Sequence, residues 1–209
     1  RYKFYAQDIC DSGHHLLEVI GDILDISKVE AGEFELNAEA SDLGDIIELC
    51  VRLVRERAEA AGITLDVEID PALPRLLLDR RLVKQSLINL LSNAIKFSPD
   101  PGPVTVRAAR VSDGSVLLVV TDAGMGIAEA DIPKILQPFS QVESAFSRSH
   151  QGTGLGLPLT KSFIEAHGGA LELSSKVGEG TAVSLRFPAQ RVIEGPPPSL
   201  ARSLAAPAE

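Results

Sequence analysis

The stretch "NLLSNAIKFS", residues 89 to 98, carries Asn89 and Asn93 four residues apart on one helical face, with Lys96 three residues beyond. Asparagine is a mediocre helix former, because its amide competes for nearby backbone groups. A buried amide without a partner costs roughly 1–3 kcal/mol. The pair therefore calls for polar groups on a ligand or a neighbouring element. Three glycine-rich stretches could supply the rest of a site. "DAGMGIA" sets Asp122 at a strand end beside Gly124 and Gly126, where a carboxylate can accept from a flat amino-bearing ring pressed close to the backbone. "GTGLGL" places Gly152, Gly154 and Gly156 just before a helix, whose exposed N–H groups and dipole suit phosphate. "GEGT" places Gly178 and Gly180 in a hairpin turn, with Thr181 opening the next strand. Singly, these are also what core amides, a tight turn, a helix start and a plain hairpin look like. Their joint occurrence in this order favours a ligand.

The elements that must position them follow from the hydrophobic rhythm. The chain has 209 residues, a formal charge of −9 and 44% apolar residues, enough for one globular domain and an accessory element. The acidic balance argues against nucleic acid as a partner. The sequence shows no secretory signal and no apolar run long enough to span a membrane. Cys10 and Cys50 fit no metal motif and suggest a reducing compartment, with both as small packing residues. Arg1 stands inside a helical pattern, which reads as an excised fragment. Residues 4 to 31 repeat Tyr5, Ile9, Ser12, Leu16, Val19, Ile23 and Ile26 at seam spacing, widened by Ile20. That stripe needs a partner helix or a second copy. Ser41 could cap a second helix, Asp42 to about Ala61, stopped by Gly62. From Ile63 the pattern alternates as a strand, "PALPRLLLD" gives another, and Asp79 caps the helix bearing the asparagines. Two strands flank the turn "SDG"; short and longer helices follow near 129–136 and 157–167, and a last hairpin completes the domain. The expected architecture is α+β: a two-layer sandwich of a mixed, largely antiparallel sheet with helices on one face, preceded by a long bundle helix. The expected segments are 1–36, 37–188 and a Pro/Ala-rich tail, 189–209.

In order and spacing, "NLLSNAIKFS", "DAGMGI", "PFSQ", "GTGLGL" and "GEGT" resemble the N, G1, F, G2 and G3 boxes of sensor histidine kinases. "HHLLEVIGDILDISKVEAGEFEL" resembles the second helix of their dimerisation and phosphotransfer hairpin with its linker. The resemblance covers about residues 4 to 188, and the subgroup it is most similar to is the PleC and DivJ type of cell-cycle kinase. It implies a Bergerat-type fold that binds ATP and Mg²⁺. Asn93 would be the Mg²⁺ ligand and Asn89 would assist metal and phosphate placement; with Lys96, which adds charge to the phosphates, they form the catalytic set. Phe97 would pack near the nucleotide. Asp122 would accept from the adenine amino group and Thr181 would contact the same ring, with Gly124, Gly126 and Ile127 beside it. Gly152, Thr153, Gly154, Leu155, Gly156 and Leu157 would line the phosphate end of the lid. Phe139 would anchor that lid, and Arg148 would reach the γ-phosphate.

One box of the family is missing. No histidine followed by an acidic residue stands where the phosphoacceptor should be; His14 and His15 read as helix-surface residues. His150 and His167 read as structural, the latter stabilised by a helix dipole. The resemblance thus implies a kinase domain that transfers the γ-phosphoryl to a histidine absent from this sequence, and from there to a response-regulator receiver domain. It implies a homodimer through the hairpin and a cytoplasmic fragment whose parent could be anchored at the inner membrane. Gyrase-type ATPases use a glutamate where Asn89 stands, and an amide cannot act as a general base. A nucleotide-binding pseudokinase is the remaining alternative.

Overall fold

The computed structural model describes residues 2–30, 35–140 and 153–195; within the first helix it describes the side chains of Tyr5, Ile9, Gly13, Leu16, Leu17 and 19–28. The elements are α1 (Tyr2–Glu30), β1 (Glu39–Ser41), α2 (Leu43–Ala60), β2 (Ile63–Ile69), β3 (Arg75–Leu78), α3 (Arg80–Phe97), β4 (Gly102–Arg110) and β5 (Val116–Asp122). A 3-10 turn at Glu129–Asp131 leads into α4 (Ile132–Ile135). Then come α5 (Gly156–Ala166), β6 (Ala170–Lys176), β7 (Gly180–Phe187), a 3-10 turn at Ala189–Arg191 and β8 (Val192–Ile193).

Five strands form the main sheet in the order β2-β4-β5-β7-β6. The β2–β4 pair is parallel and the other three are antiparallel. Alternation along β4, β5 and β7 turns Val104, Val106, Val116, Leu118, Val120, Leu185 and Phe187 inward. They meet Ile47, Cys50, Val51 and Val54 of α2 and Val83, Leu87, Leu91 and Ile95 of α3 in one core. Each such side chain contributes roughly 1.5–3 kcal/mol when fully buried. The expected α+β sandwich is present, with two differences. β3 leaves the main sheet to pair with β1 and β8 in a three-stranded antiparallel sheet. The chain also stays folded past residue 188, because Val192 pairs with Leu76 and packs on the core. A tail beginning at residue 189, as the Pro/Ala-rich composition suggested, is therefore placed too early; that composition applies only beyond β8.

Helix starts rest on carboxylates. Asp42, not Ser41, caps α2, accepting from the Gly44 and Asp45 N–H groups at 2.8 and 3.4 Å. Ser41 is committed to β1, donating to the Glu39 carbonyl at 3.0 Å. Asp79 caps α3, accepting from Arg81 and Leu82 N–H at 3.1 and 3.3 Å, and ties in Asn37 N–H at 3.2 Å. Cys50 lies in the core, its thiol pushed up to about 11 by burial, which fits packing rather than reactivity.

His167 departs from its expected role at a helix dipole. It is fully buried, and its Nε2 accepts the Asp79 N–H at 3.0 Å. The proton must therefore sit on Nδ1, which donates to the Phe163 carbonyl at 2.7 Å. Burial holds its pKa below the ordinary 6.5, so the ring is neutral and the dipole has no charge to act on. An unfolded imidazole takes up its proton near pH 6.5, the folded one only at lower pH. Stability present above about pH 6.5 is therefore lost as pH falls from there toward the folded value, by up to about 1.4 kcal/mol per pH unit. Urea unfolding at stepped pH should show this loss in the wild type and a flatter profile in His167→Gln. Equal slopes would contradict the neutral buried ring.

Among the described side chains of α1, Tyr5, Ile9, Leu16, Leu17, Ile20, Ile23 and Leu24 are exposed. Ile26 leaves the expected seam and packs instead on a small cluster of Leu82, Leu155, Leu159 and Phe163. Asp22 accepts from Gln85 Nε2 at 3.2 Å, and Asp25 lies 3.9 Å from Arg81. The last turns of α1 thus rest on α3 and α5. Side chains of Cys10, Ser12, His14 and His15 lie outside those described.

Candidate functional site

The C-terminal half of α3 forms one wall. Asn89 donates from Nδ2 to the Gly156 carbonyl at 3.3 Å, and Thr160 Oγ1 donates to the same oxygen at 2.8 Å. Part of the cost of the first amide is therefore met inside the protein, and Asn89 fixes where α5 begins. One Nδ2 proton is used there, which leaves Oδ1 as the acceptor that a ligand could meet. Asn93 stands one turn on, half-buried. The Lys96 ammonium lies 5.0 Å from the Phe97 ring centroid. Burial and the Arg57 cation hold the Lys96 pKa below its ordinary value. A group whose charge is disfavoured in this way gains from a nearby anion.

A row of polar side chains forms the other end. Asp122 on β5 is paired across the sheet with Thr181 on β7, and Thr181 with Ser175 on β6. Directly opposed residues share a face, so the three line up. Asp122 Oδ1 accepts the Gly124 N–H at 2.8 Å. Burial raises its pKa, opposed by the backbone N–H groups of Gly124 and Thr181. Ser175, which sequence motifs alone do not mark, contacts three groups at 2.8 Å: Ile127 N–H, the Gly180 carbonyl and Thr181 Oγ1. Its signal was the register that sets it opposite Thr181.

The glycines make close packing of the protein's own backbone possible. A Cβ on Gly124 would stand 2.5 Å from the Phe97 carbonyl oxygen and 2.7 Å from Asp122 Oδ1. Gly126, at φ 68°, abuts the Lys176 carbonyl, and Gly180 abuts that of Asp122. Their small size lets the loop after β5 wedge between α3 and the β6–β7 turn. Backbone bonds from Met125 N–H to Phe97 and from Gly178 N–H to Met125, at 3.4 and 2.8 Å, hold it there.

In "GTGLGL" the apolar members are anchors. Leu155 is fully buried in the small cluster with Leu82 and Phe163, and Leu157 packs on the main core. Leu155 therefore offers the site only its backbone, while Leu157 is half-buried. Thr153 Oγ1 accepts the Leu155 N–H at 3.3 Å, and Gly154 takes φ 69° with its Cα against Ser140. Phe139 does not bury its ring as an anchor should. The ring is exposed at φ 62°, and it is the Phe139–Ser140 backbone that meets Gly154. Arg148, His150 and Gly152 lie outside the described residues. Among the described residues no group of three His, Cys, Asp or Glu side chains could hold a metal. The neutral carboxamide oxygens of α3 suit a hard cation whose charge is balanced by other, anionic ligands. No described helix is long and apolar enough to cross a membrane.

Residues 78–191, more than half of the chain, match the family described as Histidine kinase-, DNA gyrase B-, and HSP90-like ATPase. The chain is 56% identical over 191 residues to the Non-motile and phage-resistance protein of Caulobacter vibrioides, covering 90% of this chain and 23% of that one. It is 42% identical over 188 residues to the Histidine protein kinase DivJ of the same organism, covering 90% and 31%. Full-length ShkA in complex with AMPPNP superimposes with a TM-score of 0.81 at 28% identity, over 93% of this chain and 40% of that one. The chain spans about a quarter to a third of the length of these curated relatives. The match over more than half of its length shows that the chain belongs to the Histidine kinase-, DNA gyrase B-, and HSP90-like ATPase family, with a histidine protein kinase among the relatives it is similar to.

Proposed function

We propose that this chain binds ATP·Mg²⁺ between α3, the Asp122 strand end and the loop before α5, and transfers the γ-phosphoryl to a histidine on a helical hairpin. That histidine would then pass the phosphoryl to an aspartate of a response-regulator receiver domain. The observation that carries the reading is the position of Asn89, an amide tied to the start of α5 where a hydrolase needs a base. Asp122 and Thr181 would hold the adenine end. Lys96 would place its charge on the phosphates, whose negative charge would offset the burial and the Arg57 cation that disfavour the ammonium. Gly154 and Gly156 would bring backbone N–H groups to the phosphate end. Asn93 and Asn89 Oδ1 would hold Mg²⁺, which neutralises charge on the transferring phosphoryl group. The exposed stripe on α1 would be covered by the hairpin's other helix and by a second copy, giving a homodimer.

Incubation with γ-labelled ATP tests the reading. The chain alone should neither label itself nor hydrolyse ATP quickly. Adding a separate helical hairpin that carries an acceptor histidine should produce acid-labile label on the hairpin. Label on His14 or His15 of the chain alone would overturn it.

A further inference from the structure

We propose that Ser175 is a specificity-determining positioning residue: it commits the Thr181 hydroxyl proton, so that the site presents only acceptors to the 6-position of a purine. The inference rests on the nucleotide-site reading above and adds to it a rule of base selection. A serine hydroxyl has one proton and two lone pairs. The Gly180 carbonyl can only accept, so its 2.8 Å contact with Ser175 uses the Ser175 proton. Ile127 N–H can only donate, and it takes one Ser175 lone pair at 2.8 Å. The remaining 2.8 Å contact, with Thr181 Oγ1, then has a single solution: Thr181 donates to the second lone pair. Ser175 is saturated, and Thr181 has only lone pairs left to offer.

Across the strand pair stands the Asp122 carboxylate, acceptor-only when ionised. Two acceptors on adjacent strands match the two protons of one exocyclic amine. A 6-oxo purine would instead bring oxygen lone pairs against both. Loss of the Ser175 hydroxyl frees the Thr181 proton to swing into the cleft, where it can meet a 6-oxo group. Discrimination should then fall even though Asp122 and Thr181 are both intact. Ser175 does not touch the base in this account; it acts through Thr181.

Calorimetry with ATP and with its 6-oxo isostere ITP, both with Mg²⁺, reads this out as a ratio of affinities. One uncharged hydrogen bond corresponds to about 2- to 12-fold in affinity. Ser175→Ala should therefore lower the ATP/ITP ratio about 3- to 10-fold, and Ser175→Thr, which keeps the hydroxyl, should hold it within about twofold of wild type. In a Thr181→Val background, Ser175→Ala should change the ratio no further, since the residue it acts through has gone. Equal losses for both nucleotides, or the full effect persisting in Thr181→Val, would make Ser175 only a support for the loop and overturn the inference while leaving the site reading intact. A wild-type chain that binds neither nucleotide would overturn the site reading, and this inference with it.

Discussion

Asn93→Ala should slow phosphoryl transfer to an added acceptor hairpin by about a hundred- to a thousandfold, with nucleotide binding in chelator nearly unchanged. Removing one preorganised electrostatic partner from a transferring centre has effects of this size. Asn93 sits half-buried, apart from the α3 residues Leu87, Leu90, Leu91, Ala94 and Ile95 that join the main core. Alanine is the better helix former, so α3 should persist and the fold with it. The loss should therefore appear in the transfer step and in the metal dependence of binding, not in the melting temperature. Wild-type transfer by the variant would remove Asn93 from the metal site. Asn89 offers a useful contrast. Its amide also holds the Gly156 carbonyl, so Asn89→Ala should disturb both the start of α5 and the chemistry.

Asp122→Asn should weaken ATP binding about 10- to 150-fold. A hydrogen bond to a charged group contributes roughly 1.5–3 kcal/mol, and the new amide can turn its NH₂ against the adenine amine. The same carboxylate gives binding a pH dependence with a definite sign. Burial raises its pKa, and only the ionised form is a pure acceptor. ATP affinity should fall as pH drops toward that raised value, beginning above the range of an ordinary carboxylate, and Asp122→Asn should abolish this dependence. Without ligand the sign reverses. A carboxyl with a raised folded pKa binds more protons folded than unfolded, so its contribution to stability is full at low pH and is lost as pH rises through the raised value. Near neutral pH the unliganded Asp122→Asn chain should melt no lower than wild type, yet gain less from ATP. Calorimetry across pH, with thermal melts, checks both halves. Unchanged affinity in the variant would remove Asp122 from the base pocket.

These predictions draw unequally on sequence and structure. The placement of Asn89, Asn93, Lys96 and Asp122 was legible because periodicity carries it: helical spacing puts two amides on one face, and alternation ends β5 at a carboxylate. The roles proposed for them come from the resemblance. Both caps at charged residues, Asp42 and Asp79, lie within the same local logic, although Ser41 competed for the first. The glycines were legible as turns but not in their purpose. Only packing reveals that Gly126 and Gly180 make room for protein carbonyls at Lys176 and Asp122.

By itself, the sequence determined the local elements, the α+β class and the polar residues that a nucleotide site needs, because these depend on periodicity and composition over a few residues. The tertiary structure alone decided which groups meet across long separations. It set the register that aligns Asp122, Thr181 and Ser175, and the departure of β3 to pair with β1 and β8. It turned Leu155 into the small cluster that receives Ile26, and it placed a neutral His167 under the cap of α3. The physical reason is the same in each case. A hydrogen bond or a buried contact depends on where two strands or helices come to rest, and no window along the chain contains both partners.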